Sequence, residues 1–455
     1  MQAGRFIYCK TILRNLLLCI LLLAACSEFE TKWTRRFDAL GPGNYRINSI
    51  ANIKESVYFT GTYTEHNSSS KCFLAKYNTD GRIEWHAVFG TPPGVRAQGK
   101  TLMIVSEQEE PLTTHSDICL LVETCNEERL EKTILARYDT LGSLIWQKTV
   151  TAIKGILNSD LLYDPAGNLY VAGWEEDAEG RRAIFIAKYS GSGELIHFTK
   201  YYYQMLDFTD LKFDVAAPDC FVLAGRLIST NEIFYIKYSN SGQFQNMVKY
   251  NAGTTVNTLS GLKTTPSGHL FMCADILNAE TGCDFIILAY DPKDSLLWAE
   301  EYNGTANGDD HSQAISVDES LSVYVAGSTD NHEGIPNIIT LKYNITGNCI
   351  WTQGINHKQA SEPLIMEPSY VHLGGREPQA YLFIAGIIEE RACMLRCNTN
   401  GIYSFHAQYG DPGAETVPTA LSGKYMAFER KTEAGSDAFV VKYGPSAILG
   451  IARWD

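Results

Sequence analysis

The sequence predicts an all-β protein built from small sheets of similar sequence that follow one another along the chain. A strand ending in Lys-Tyr, or in a close relative of that pair, recurs eight times. Around each copy, alternating apolar residues rich in β-branched side chains indicate further strands. A period of roughly 50 residues with several strands per repeat is typical of a propeller. We therefore predict a β-propeller of four-stranded blades, with eight blades as the first choice and seven as the alternative.

The repeated strands occur in the order a, b, c, d within each blade. Strand c is the Lys-Tyr strand, and its copies end at Tyr77, Tyr138, Tyr189, Tyr238, Tyr290, Tyr343, Cys397 and Tyr443, which are 61, 51, 49, 52, 53, 54 and 46 residues apart. Strand b precedes it, as in residues 323–327, and strand a leads into b, as in residues 314–318. Strand d follows a turn that contains glycine and carries Trp85, Trp146, Trp298 or Trp351. Because one four-stranded sheet cannot bury both faces, we expect each Trp to fill the gap between neighbouring blades.

The two ends of the repeat region predict how the ring closes. Residues 33–37 (WTRRF) and residues 448–454 each look like a strand d without a repeat of its own. One of these segments is expected to complete the last blade, so that no sheet edge is left open between the first and last repeats. The last repeat has no match to the usual strand b, and residues 424–428 are the expected substitute.

The most regular copy, residues 315–351, reads ISVDESLSVYVAGSTDNHEGIPNIITLKYNITGNCIW. It resembles the bacterial β-propeller repeat called SBBP, and the resemblance extends over about residues 33–455. The resemblance implies a propeller and no particular activity. The spacing A-x-Y-x3-G-x3-W, found at residues 75–85 and 136–146, also resembles the tryptophan-docking motif of quinoprotein propellers. That family has Asp where Tyr77 and Tyr138 stand, so the likeness implies shared packing, and no cofactor is predicted.

The N-terminal segment resembles the signal peptide of a bacterial lipoprotein. Arg5, Lys10 and Arg14 precede an apolar run that is too short to span a bilayer. The following Leu-Ala-Ala-Cys resembles a lipobox, which implies that Cys26 carries acyl chains such as palmitate and becomes the new N-terminus. The predicted parts are a signal peptide at residues 1–25, a lipidated tether at residues 26–32 and a propeller at residues 33–455.

Charge and the tether sequence predict the location of the protein. The acidic residues after Cys26 (SEFE) resemble the surface-export signal of some Gram-negative lipoproteins, with a plain solvated tether as the alternative. We expect a bacterial envelope protein attached to the outer membrane through its lipid, either periplasmic or surface-exposed. The formal charge of the full chain is −14. Such a surface repels nucleic acid, which is therefore excluded as a partner.

The cysteines predict little chemistry. Nine remain after Cys9, Cys19 and Cys26 are set aside, and an odd number cannot all pair within the chain. Cys273 and Cys283 flank a b–c hairpin and form the candidate disulfide. Most of the others lie in apolar strand contexts, where a free Cys behaves as a small hydrophobic residue.

Two sets of residues could form a binding site on the face of the ring where the d–a and b–c connections open. The sixth repeat carries Asp309, Asp310 and His311 before strand a, and Asp330 and His332 after strand b. Carboxylates and imidazoles could hold a divalent cation of unspecified identity or a polar ligand. The alternative is that these are ordinary turn residues of the repeat.

The third repeat offers a different kind of site. Trp174 is followed by a run of acidic residues in the b–c connection. An exposed Trp beside carboxylates could stack on a sugar ring, although a charged run is also typical of a solvated loop.

The functional prediction is a binding module and not a defined enzyme. The sequence contains no GxSxG, HExxH, phosphate-loop or dinucleotide-binding motif, but propeller enzymes take single residues from many blades, so enzyme activity stays open. We expect a lipid-anchored, non-enzymatic scaffold that binds an envelope protein or a polymer. The alternative is a surface protein of an uptake system that binds or degrades glycans.

Overall fold

The computed structural model describes residues 29–445, with gaps at 66–68, 90, 93, 110–112, 127–129, 165–166, 178, 181, 203–207, 217–219, 240, 356–360, 372–378, 411–414 and 433–434. Strands alone make up the regular structure of the described residues. Within them, no helix is long and apolar enough to cross a membrane. The predicted lipidation site, Cys26, lies outside the described residues.

Eight antiparallel blades follow one another along the chain. The first four are β2 (Asn44–Ile53), β3 (Ser56–Thr64), β4 (Lys71–Tyr77) and β5 (Ile83–Val88); β6 (Arg96–Glu109), β7 (Thr113–Cys125), β8 (Leu130–Tyr138) and the start of β9 (Leu144–Tyr163); the end of β9 with β10 (Leu169–Asp177), β11 (Arg182–Tyr189) and β12 (Leu195–Tyr202); and β13 (Phe208–Ala216), β14 (Cys220–Leu227), β15 (Glu232–Ser239) and β16 (Phe244–Tyr250). The last four are β17 (Thr255–Thr264), β18 (Leu270–Asn278), β19 (Gly282–Tyr290) and β20 (Leu296–Tyr302); β21 (Asp310–Val317), β22 (Val323–Asp330), β23 (Pro336–Tyr343) and β24 (Cys349–Ile355); β25 (Ser361–Val371), β26 (Gln379–Ile388), β27 (Arg391–Asn398) and β28 (Tyr403–Tyr409); and β29 (Thr416–Ser422), β30 (Tyr425–Thr432), β31 (Gly435–Pro445) and β1 (Phe29–Phe37).

This count confirms eight blades and rules out the alternative of seven. Strand β9 serves two blades: up to Lys154 it pairs with β8, and from Gly155 it pairs with β10. Blades 2 and 3 therefore form one continuous seven-stranded sheet. The sequence did not predict this continuity, because a strand that changes partner without a break has no turn residues to mark the boundary.

Strand β1 closes the ring. It pairs antiparallel with β31 and supplies strand d of blade 8, which confirms the prediction for residues 33–37. The competing segment, residues 448–454, lies outside the described residues. Strand β30 is the strand b of this blade and covers most of the predicted residues 424–428. Sharing one sheet between the two ends of the chain leaves no open edge between blades 1 and 8.

The Trp residues pack between blades as predicted. Each indole Nε1 donates a hydrogen bond to a backbone oxygen in the c–d turn of the next blade: Trp33 to Thr79 at 2.9 Å, Trp85 to Thr140 at 3.1 Å, Trp146 to Gly191 at 3.3 Å, Trp298 to Ile345 at 2.9 Å and Trp351 to Thr399 at 3.1 Å. The ring lies on the turn glycine, so a Cβ at Gly347 would come within 2.8 Å of Trp298. Gly347 also has a φ of +84°, which is unfavourable for other residues.

The proposed disulfide between Cys273 and Cys283 is wrong. Both are free thiols. In the ladder between β18 and β19, Cys273 lies opposite Ile287 and Cys283 lies opposite Leu277. The two cysteines flank the hairpin in sequence, but they lie on different rungs of the ladder, too far apart along the strands for a disulfide.

Candidate functional site

The innermost strand of nearly every blade contains a β-bulge. The ladder between strands a and b shifts register by one residue at Asn48, Lys100, Ser260, Gln313, Leu364 and Thr419 in blades 1, 2, 5, 6, 7 and 8, and a wider shift occurs between Thr209 and Lys212 in blade 4. A bulge leaves one residue unpaired and redirects its side chain. Lys100, Ser260 and Gln313 accordingly line a cavity of about 430 Å³ formed by the inner strands of blades 2 to 6.

A second cavity of about 570 Å³ opens at the d–a and b–c end between blades 8, 1 and 2. Its lining includes Asn44, Arg46, Asn48 and Gln98, together with Glu429, whose carboxylate lies 3.9 Å from the Arg46 guanidinium. Amide, hydroxyl and guanidinium groups dominate this lining. We call the cavity the polar mouth. It suits a ligand that both donates and accepts hydrogen bonds.

The predicted sixth-repeat residues come together only in part. Asp309 and Asp330 meet as expected for neighbouring d–a and b–c connections. The Asp330 N–H donates to the Asp309 backbone oxygen at 3.0 Å, and the Asp309 N–H donates to the Asp330 carboxylate at 3.3 Å. His332 lies exposed in the following turn. The contacts between the two aspartates join the connections to each other, which is the turn role that the alternative interpretation gave them.

Asp310 is directed into the protein. Only 1% of it is exposed, and its carboxylate accepts the Gly304 N–H at 2.6 Å. Burial raises the pKa of Asp310, and the nearby Asp284 and Asp330 add to the increase. This carboxylate therefore supports the d–a connection from inside and does not face a ligand at the surface.

His311 belongs to a cluster that the sequence did not predict. Its Nδ1 lies 2.9 Å from the Asp275 carboxylate and 3.5 Å from the Cys283 sulfur. Asp275 and Cys283 come from blade 5 and are each 4% exposed, whereas the His311 side chain is 43% exposed. Hydrogen bonding to Asp275 and Cys283 raises the pKa of His311 to about 10, against the opposing effect of burial. The cluster joins blades 5 and 6 on the d–a and b–c side of the ring.

Trp174 does not form the exposed platform that the sequence predicted. The ring is half-buried and packs into the apolar cluster between blades 3 and 4, with the Arg182 guanidinium 5.7 Å from its centre. Of the neighbouring acids, Glu175 is buried beside Lys200, and Glu176 pairs with Arg182 at 2.6 Å. Two acids of the run are thus paired with basic side chains of their own blade.

A belt of exposed apolar side chains surrounds the opposite end of the ring, where the c–d turns lie. We call it the apolar rim; it comprises Ile83, Leu141, Leu144, Ile145, Leu195, Ile196, Phe244, Leu296, Leu297, Ile350 and Ile402. Most of these residues begin the outermost strand of their blade. Strand β1 enters the ring at the same end, because Phe29 pairs with Pro445 at the end of β31.

Comparisons with known proteins do not assign the chain to a family. No protein-family model matches the chain, and no curated protein matches it. Similar solved structures include the WD40 domain of SCAP from fission yeast, with 11% identity, coverage of 93% of this chain and 99% of that chain, and a TM-score of 0.46. The polysaccharide lyase Uly1 shows 9% identity, coverage of 89% and 90%, and a TM-score of 0.46. A prolyl endopeptidase shows 11% identity, coverage of 90% and 56%, and a TM-score of 0.47.

At these TM-scores the likenesses support no argument about function. The protein is an eight-bladed β-propeller by its own sheet topology. Propellers host many unrelated activities, so the fold alone does not select one of them.

Proposed function

We propose that this propeller is a lipid-anchored envelope protein that acts as a non-enzymatic binding or scaffold module for an envelope protein or a polymer. The path of β1 is the observation that supports the proposal best. This strand begins at Phe29 at the c–d end of the ring, only three residues after Cys26. A lipid on Cys26 would therefore bring the c–d end to the membrane and turn the polar mouth outward.

The lengths and the surface chemistry agree with this orientation. Three residues span at most about 11 Å, so the ring would lie close to the acyl chains. The apolar rim lies at that same end, and exposed aliphatic and aromatic side chains at a lipid interface are stabilised by burial in the headgroup region. Because the chain is strongly acidic, binding to anionic headgroups alone would be weak, and the covalent lipid would provide most of the attachment.

The outward face then carries the partner site. The polar mouth opens there, and its side chains come from blades 8, 1 and 2. A partner protein could insert a polar loop into the polar mouth. A glycan is the second candidate ligand, because Asn44, Arg46, Asn48 and Gln98 present the donors and acceptors that sugar hydroxyls require.

Labelling in cells tests the lipid anchor. The chain should incorporate a palmitate analogue and fractionate with the outer membrane, and Cys26→Ser should abolish both. Cys349→Ser is the matched control, since Cys349 is an exposed free thiol elsewhere on the ring. Retention of label in Cys26→Ser would contradict the anchor.

Site-specific crosslinking tests the binding role. A photo-reactive residue at Gln98 in the polar mouth should capture a partner protein or polymer on intact cells, whereas the same residue at Leu195 in the apolar rim should capture lipid. Free monomer from the Gln98 position in repeated experiments would argue against a docking function. Loss of capture after addition of soluble polysaccharide, but not after addition of a protein extract, would favour the glycan alternative.

A further inference from the structure

The contact between blades 5 and 6 brings three different metal-binding side chains to one point. Asp275 lies on β18, Cys283 on β19 and His311 on β21, and their ligand atoms all lie within 4.8 Å of one another. Asp275 and Cys283 share the face of blade 5 that packs against blade 6, since Phe285 lies directly opposite Asp275 and belongs to the same core cluster as Ile315. All three residues lie in β-strands, so the geometry of the cluster does not depend on a loop.

One imidazole nitrogen is shared by the two other metal-binding groups of the cluster. A single atom, Nδ1 of His311, faces both the Asp275 carboxylate and the Cys283 sulfur. A ring nitrogen carries at most one hydrogen, so Nδ1 can donate to only one of these two groups at a time. The Cys283 sulfur also lies 3.9 Å from the Asp284 backbone oxygen and 3.6 Å from the Asn257 side-chain nitrogen. A nucleophile-activating relay would place the thiol and the carboxylate on opposite ring nitrogens. Convergence on one nitrogen is instead what a shared metal ion requires.

The Asp275 carboxylate is also oriented as expected for a metal ligand. Its Oδ1 accepts hydrogen bonds from the Ser312 N–H at 2.8 Å and the Ser312 hydroxyl at 2.7 Å, which leaves Oδ2 directed at His311. Bonds of this kind orient a metal-binding carboxylate from outside the coordination sphere. Between blades 2 and 3, Glu123 accepts the same pair of bonds from Ser159 at 2.9 and 2.8 Å.

The contact between Glu123 and Ser159 can be compared with the contact between Asp275 and Ser312. The residue before Ser159 is Asn158, where His311 precedes Ser312. The carboxylate–serine contact therefore occurs at two junctions, and among the described residues the Cys–His addition is found at the junction of blades 5 and 6. A carboxylate–serine contact that only supports the structure does not need the Cys–His pair.

We propose that Asp275, Cys283 and His311 form a binding site for Zn²⁺, with the fourth position open toward the d–a and b–c face. Thiolate, imidazole and carboxylate are the ligand types that Zn²⁺ accepts together, whereas Ca²⁺ and Mg²⁺ prefer oxygen ligands alone. Tetrahedral Zn²⁺ separates bound N and S atoms by about 3.6 Å and bound N and O atoms by about 3.4 Å. The observed N–S separation of 3.5 Å already matches, and the N–O separation of 2.9 Å has to widen by about 0.5 Å, while all three ligand atoms lie within 4.8 Å of one another.

The open position gives the site a role at the surface. The His311 side chain is partly exposed, and Asp309 lies next to the cluster, where its carboxylate accepts the Cys283 N–H at 2.9 Å. Water or a donor atom from a bound partner can complete the metal coordination there. The site does not depend on the lipid anchor, so it can be tested apart from the proposed function.

Metal binding by the purified mature chain is the test. We expect one tightly bound Zn²⁺ per chain by elemental analysis and calorimetry, and we expect Co²⁺ in its place to show a thiolate-to-cobalt charge-transfer band. Cys283→Ser should abolish that band, His311→Gln should abolish stoichiometric binding, and Ser312→Ala should weaken it about 10-fold through loss of carboxylate orientation.

Ser159→Ala is the matched control for Ser312→Ala, because it removes the equivalent serine hydroxyl between blades 2 and 3 and should leave one Zn²⁺ per chain. Circular dichroism and thermal unfolding of each variant identify a chain that has failed to fold, and His311→Gln, at a half-exposed position, serves as the variant expected to stay folded. The proposal is overturned if the wild-type chain binds no Zn²⁺ at equimolar concentration. It is equally overturned if the stoichiometry is the same in folded His311→Gln.

Discussion

At the scale of single residues, the blades are joined by one recurring contact, in which an indole lies on a turn glycine and donates to a turn carbonyl. Three of the eight junctions lack the Trp, and two of these show other contacts. His197 lies against Gly242 between blades 3 and 4, and Asn246 donates to Asp294 at 3.1 Å between blades 4 and 5. The sequence pattern predicted the Trp contacts because Trp is rare and is regularly spaced from the turn glycine. It did not predict the residues that take the place of Trp at the other junctions, which can be identified only in the structure.

Trp298 should contribute strongly to stability. It is 8% exposed, stacks on Tyr343 at 5.9 Å and packs into the core between blades 5 and 6. Trp298→Ala should lower the free energy of unfolding by about 3–5 kcal/mol in chemical denaturation. Phe244→Ala, at an exposed rim position, is the control and should change it far less. Equal effects would show that the indole is not a main contact between the blades.

Asp294 should make stability depend on pH. Burial alone would raise its pKa, but hydrogen bonds from Lys237, Asn246 and Tyr235 lower the pKa below the ordinary 3.8. A lowered pKa means that the contribution is present above pH 3.8 and is lost as pH falls through the lowered value. The stability advantage of the wild type over Asp294→Asn should therefore shrink on acidification. An advantage that stays constant from neutral pH down to strongly acidic pH would contradict this assignment.

At the scale of elements, the positions of the strands can be predicted from the local residue pattern, whereas the pairing of one strand with another cannot. Strands b and c were placed correctly from alternating apolar residues, since both are buried in every blade and each is bounded by turn residues. The uninterrupted β9 and the bulges of the inner strands were missed. A bulge is a relation between two strands, and one strand read by itself does not reveal it.

Strand β1 is the element on which ring closure depends. Phe37 is 1% exposed, and its ring contacts Phe73 at 4.7 Å and Phe59 at 5.1 Å in blade 1. Phe37→Ala should cost about 3–5 kcal/mol and should make the junction between blades 1 and 8 the first site of cleavage in limited proteolysis. Cleavage that begins at another junction, with a normal free energy of unfolding, would show that the ring does not depend on this contact.

At the scale of the whole molecule, the two ends of the ring differ in chemistry. The c–d end carries the apolar rim and the entry of β1, and the d–a and b–c end carries the polar mouth and the Asp275–Cys283–His311 cluster. The proposed lipid anchor at one end, with polar sites at the other, would suit a protein that holds a binding face away from a membrane.

The orientation predicts which face contacts lipid. A fluorophore attached at Ser192, in a c–d turn, should be quenched by brominated acyl chains when the lipidated protein is bound to vesicles, and a fluorophore at Gln98 should not be quenched. Leu195→Ser with Ile196→Ser should reduce the quenching at Ser192, because the rim loses apolar contact with the interface. Quenching at Gln98 alone would reverse the proposed orientation.

The sequence by itself predicted the fold class, eight blades as the first choice over seven, two candidate segments for closing the ring, and the docking role of the Trp residues. These properties follow from the two-residue period of strands and the roughly 50-residue period of the repeat, both of which can be read along the chain. Tertiary structure alone decided which polar residues meet. Asp275 and His311 are 36 residues apart, and they come together only because strand register and blade packing place β18 and β21 side by side. The spacing of residues along the chain does not indicate this contact, so only the tertiary structure reveals it.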